Sequence, residues 1–188
     1  MKHISKPSIS LMLTLSVIIG IIAGAIISLS VSDEALSVIC DTSQYIEAVC
    51  RGKWLLEILR YTAIESIWLF VIYALGFGAI YQPMCFLLLI LKGGLLGFIS
   101  RGIFAASDVL ASLAIILPSG VASIAVFYCA VRRAVNLSEA YFAMTVTNEN
   151  RLGLKNEAAD YTSAFFISIL IIAIISAMRC LIICLLAG

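Results

Sequence analysis

Apolar residues gather into five long runs, Ile9 to Val31, Thr62 to Ile80, Pro83 to Ala105, Val109 to Val131 and Tyr161 to Leu186, with polar stretches between them. Each run is close to the roughly 20 residues that a helix needs to cross a bilayer. The pattern predicts an all-α fold, a polytopic membrane bundle of about five transmembrane helices in a single integral-membrane domain, residues 1–188.

The first run follows Lys2, His3 and Lys6, a positive flank shared by signal peptides and start-anchor helices. Its length exceeds the roughly 7 to 15 apolar residues of a signal peptide, so it reads as a retained helix. Ser16, Gly20, Gly24 and Ser28 recur every fourth residue, a ladder that lets a neighbouring helix come close. Packing within the chain explains this ladder more simply than a dimer seam does.

Residues 32–53 form a polar loop, expected outside the cytoplasm. If that side is oxidising, Cys40 and Cys50 could close a short disulfide loop within it. Trp54 to Glu65 mixes Leu55, Leu56, Ile58 and Leu59 with Glu57 and Arg60, as an interfacial helix leading into the membrane would. The turn Tyr81-Gln82-Pro83 is short enough to make the second and third spans antiparallel neighbours. Pro83 suits the first turn of a helix, where no backbone donor is missed.

The third span holds Lys92 near mid-membrane, the Gly93-xxx-Gly97 spacing, and Arg101 towards the far interface. Ser107 and Asp108 supply the next break and an N-cap. In the fourth span, Leu117-Pro118-Ser119-Gly120 predicts an interruption, because an internal proline removes a backbone hydrogen bond. Arg132 and Arg133 end that span. Residues 132–160 are expected to form a polar inner loop, with Asn136 to Asp160 partly helical at best. Lys2, Lys6, Arg132, Arg133, Arg151 and Lys155 then lie on one side, against Arg51, Lys53, Arg60 and Arg101 on the other. The positive-inside rule favours a cytoplasmic N-terminus and an extracytoplasmic C-terminus.

Composition agrees: 63% of residues are hydrophobic, 12% are charged and the mean hydropathy is +1.13, far too apolar for a soluble domain. A formal net charge of +1 leaves no broad basic face for nucleic acid, and Arg132 and Arg133 read as a topology signal in contact with headgroups. Cys85, Cys129, Cys180 and Cys184 fall in apolar runs, where cysteine behaves as a small hydrophobe. With no CxxC pair and the lone His3, no metal site or other cofactor is expected. No HExxH, GxSxG or P-loop is present, and no pair of intramembrane aspartates, so no catalytic residue is expected.

Lys92 therefore needs another explanation. A charge at the centre of a membrane helix costs about 2.5 to 3.5 kcal/mol, so it should face protein or water. Lys92 lies roughly 14 Å from the Pro83 turn, at a level similar to Pro118. One expected partner is the carbonyl near Ala114 that Pro118 leaves without a donor. The alternative partner, Glu65, sits roughly one and a half helical turns nearer the outer face, where Arg179 on the fifth span matches it better. The lysine then reads as a pin that fixes helix packing rather than as a substrate or anion site.

The succession Tyr61 to Tyr81, Gln82-Pro83, the Phe86 to Leu91 run, Lys92-Gly93, Gly97-Phe98 and Leu117-Pro118 resembles stage II sporulation protein M. The match covers roughly Leu55 to Arg133; outside it, the first and last spans agree in placement only. The resemblance implies a multi-pass protein of the cell membrane, at the sporulation septum and the engulfing membrane of the mother cell. In that family the protein is a non-catalytic scaffold. It anchors two membrane-bound peptidoglycan hydrolases, stage II sporulation proteins D and P, during engulfment. Small-residue faces such as Gly20/Gly24 and Gly93/Gly97 would make its helix contacts, and the outer loop would meet partners on the wall side. The alternative is a permease-like subunit that moves a small molecule through the Lys92/Pro118 region. Nothing in the sequence decides whether the chain forms homo-oligomers.

Overall fold

A computed structural model describes residues 6–32, 35–36, 47–49, 51–78, 81–106, 117–147 and 151–187. These residues are helical in five long elements: α1 Lys6–Leu29, α2 Trp54–Gly76, α3 Gln82–Ala106, α4 Ala122–Thr147 and α5 Arg151–Ala187. A π-helical turn, Leu117–Val121, leads into α4. Each long helix contains a stretch long and apolar enough to cross a membrane. The protein is an all-α bundle with five such helices among the described residues.

Three boundaries differ from the sequence expectation. The segment from Trp54 does not lie apart as an interfacial helix; it runs without a break into α2, which stops at Gly76 rather than at Ile80. Arg132 and Arg133 do not end the fourth span, because α4 continues to Thr147. The polar residues beyond them are helical as well, since α5 begins at Arg151. Burial explains the persistence of α4: Val131, Ala134, Val135, Leu137 and Ser138 are all buried, so a helical stripe survives among exposed polar neighbours. Ser107, Asp108 and Ala114 lie outside the described residues, as do Cys40 and Cys50.

The backbone at Pro118 sits in the π-helical turn, a wide turn that accommodates a residue without a backbone donor. Pro83 occupies the first turn of α3, where Met84 and Cys85 donate to the Tyr81 carbonyl, at 3.1 and 3.2 Å.

The helices divide into two groups. α1 packs most extensively on α3, while α2, α4 and α5 pack on one another. α2 and α3, although joined by a short turn, touch only slightly. The α1/α3 seam is built from glycine. A methyl group on Gly20 would strike the Ile90 carbonyl, one on Gly24 the Gly94 carbonyl, and one on Gly97 the Ile21 carbonyl. One on Gly93 would come within 2.8 Å of the Val17 carbonyl oxygen. Facing positions rise together along both chains, so α1 and α3 run parallel. At their far end Arg101 donates to the Ser28 carbonyl and satisfies one of the last acceptors of α1.

The other group is held by aromatic rings and hydroxyls. Tyr73 stacks on Phe165 at 4.5 Å and on Tyr161 at 5.3 Å. The Tyr161 hydroxyl donates to the Ile72 carbonyl at 3.0 Å, tying α5 to α2. Ser138 Oγ donates to the Gly78 carbonyl at 2.7 Å and ties α4 to the turn between α2 and α3. Leu13, Leu69, Cys85, Leu89, Phe127 and Ile172 meet in one core that draws on all five helices.

Candidate functional site

The polar centre of the bundle lies where the two helix groups meet. On α2, Glu57, Glu65, Leu69, Ile72 and Gly76 are buried, the last four at spacings of three and four, and Tyr61 lies on the same stripe. On α3, Cys85, Leu89, Gly93 and Gly97 form the buried row, and Lys92 flanks it on the side towards α2. Nζ of Lys92 donates to both carboxylate oxygens of Glu65, at 2.7 Å to Oε1 and 2.6 Å to Oε2. The two side chains are 12% and 8% exposed, so neither charge has open access to water or lipid.

Aromatic faces close over the cation. Nζ lies 4.8 Å from the centre of the Phe127 ring on α4 and 5.8 Å from that of Trp68 on α2. Ring quadrupoles attract a desolvated ammonium and make up part of its lost hydration. Opposite charges held this tightly allow both groups to remain buried, whereas either one alone would be strongly unfavourable.

The carbonyl near Ala114, one expected partner of Lys92, lies outside the described residues. The other, Glu65, was placed too far out by the sequence, and here the two are paired. The cause is the end of α2. Counted from Ile80, Glu65 seemed too far out to meet the lysine. Counted from Gly76, it lies about 16 Å along its helix, and Lys92 lies about 15 Å from the start of α3, so the two charges share a level.

Arg179 stands with its guanidinium 5.3 Å from the Tyr61 ring, and the Tyr61 hydroxyl donates to the Ser119 carbonyl at 2.7 Å. That last bond holds the π-helical turn against α2, so the backbone beside Pro118 is fastened by a tyrosine.

The expected packing residues are brought together in part. Gly20, Gly24, Gly93 and Gly97 form one seam, whereas Pro83 begins α3 and the Pro118 turn lies at the start of α4. Tyr61, Trp68, Phe127, Ser138 and Tyr161 were not singled out from the sequence. The signal for Tyr61 was present in the Glu57, Tyr61, Glu65, Leu69 series, whose spacing of four places an acidic stripe on the buried face of α2.

Among the described residues Cys85, Cys129, Cys180 and Cys184 are free thiols, and no three His, Cys, Asp or Glu side chains group as metal ligands would. The chain matches no protein-family model, no curated protein and no solved structure.

Proposed function

We propose that this chain is a non-catalytic membrane scaffold of the engulfment machinery, in line with its resemblance to stage II sporulation protein M. Its role on this reading is to hold the membrane-anchored hydrolases, stage II sporulation proteins D and P, at the septum. The observation that supports a scaffold is the mutual neutralisation of Lys92 and Glu65 under the Phe127 and Trp68 rings. Such a pair joins helices and leaves no open charge at the membrane centre. A permease-like site would need Lys92 available to a substrate, and Glu65 occupies it.

The seam glycines bear on how partners are held. Gly20, Gly24, Gly93 and Gly97 face each other inside the molecule, so partner helices do not use them. Contacts with the hydrolases then fall to the segment between α1 and α2 and to the outer helix faces. Crosslinking and pull-down from sporulating cells tests the proposal. The two hydrolases should co-purify and should lose septal localisation when the chain is absent; recovery of a transport ATPase in their place would overturn it.

A further inference from the structure

An open cleft lies between α2, α4 and α5, away from the Lys92–Glu65 pair. Leu69, Tyr73, Ala130, Arg133, Ala164 and Phe165 line most of it. The small side chains of Ala130 and Ala164 make it concave. The stacked rings of Tyr73 and Phe165 form one flat wall.

Arg133 stands on the exposed face of α4. Its neighbours Val131, Ala134 and Val135 are buried, yet Arg133 itself is exposed and makes no ion pair among the described residues. The bond from Ser138 to the Gly78 carbonyl sets residue 138 at the level of the turn between α2 and α3. With that turn at the headgroup level, Arg133 lies about 7 Å deeper along α4, where acyl chains begin. A cation at that depth is disfavoured unless it snorkels or meets an anion. Its planar fork matches the two oxygens of a phosphate.

We infer that this cleft binds one anionic phospholipid, with Arg133 on the phosphate and the first part of an acyl chain along Ala130, Ala164 and the Tyr73/Phe165 wall. The cleft is open on one side and too shallow to enclose a whole molecule, so it seats part of a lipid whose remainder stays in the bilayer. Charge complementarity selects the headgroup, and the concave apolar floor distinguishes a seated lipid from general attraction to an acidic surface.

Native mass spectrometry of the full-length protein in neutral detergent, with phosphatidylglycerol and phosphatidylcholine as probes, tests the site. The wild type should retain phosphatidylglycerol preferentially. Arg133→Ala should reduce that retention about fivefold, the size of one basic residue's attraction to an anionic membrane, and leave phosphatidylcholine unchanged. Ala164→Phe, which fills the cleft and keeps the charge, should reduce retention of both lipids. Arg132→Ala removes the same charge from an exposed residue that does not line the cleft, and should have little effect. The inference is overturned if Arg132→Ala and Arg133→Ala act equally, if either cleft variant binds as the wild type does, or if inorganic phosphate displaces the lipid.

Discussion

The α1/α3 seam and the α2/α4/α5 group solve one problem in opposite ways. Lipid tails are as apolar as leucine, so helices in a bilayer gain little from burying apolar surface against each other. α1 and α3 associate by removing side chains: four glycines let two backbones approach until a single added methyl would meet a carbonyl. α2, α4 and α5 associate by adding side chains, with stacked rings and hydroxyls that reach across to backbone acceptors. Apart from the Arg101 bond at its far end, the first seam depends on shape and tolerates almost no enlargement. The second spreads its specificity over several bonds and gives way gradually. Lys92 and Glu65 stand between these two groups and belong to both.

Breaking that bridge should have the largest effect. Lys92→Leu or Glu65→Leu leaves one buried charge unpaired and should destabilise by about 3 to 5 kcal/mol, read as thermal unfolding in detergent. The double variant should recover most of this loss, because two well-packed apolar residues often replace a buried pair at little net change. A single Lys92→Leu variant as stable as the wild type would refute the bridge.

Next comes Gly24→Ala, expected to cost about 1 to 3 kcal/mol by overpacking, although it adds only one carbon. If the comparison is right, this exceeds the effect of removing a whole hydrogen bond from the other group. Tyr161→Phe keeps the ring stack and loses the bond to Ile72, so about 1 kcal/mol is expected in the same assay. Ser138→Ala should cost least, about 0.5 kcal/mol, and should raise hydrogen exchange at the turn between α2 and α3 without loosening α1. A reversed order, with Tyr161→Phe more damaging than Gly24→Ala, would place the tighter constraint in the aromatic group.

Much of this could be read from apolar runs, and the reason is physical. Hydrocarbon thickness sets a length that sequence shows directly, so α1 and α3 were located within a few residues and the Gly20/Gly24 and Gly93/Gly97 rows were recognised as contact faces. That these rows face each other was not legible, because spacing identifies a face and not its partner. The pairing of Lys92 with Glu65 was set aside on depth: a span drawn to Ile80 instead of Gly76 moved the carboxylate by about one turn. The continuation of α4 past Arg133 was obscured by polar composition, although Val131, Ala134, Val135 and Ser138 keep helical spacing. Phe127 became visible only once three helices were placed around one lysine, whereas Tyr61 already lay on the four-residue series of α2.

The Lys92–Glu65 pair also bears on how the protein is made. Its members are 27 residues apart and sit on consecutive helices. Leaving the insertion machinery singly, either helix would carry a bare charge into lipid, at about 2.5 to 3.5 kcal/mol for the lysine or the acidic group. Released together as a hairpin, they enter already neutralised. The pair therefore favours entry of α2 and α3 as one hairpin, which also brings the glycine face of α3 to α1.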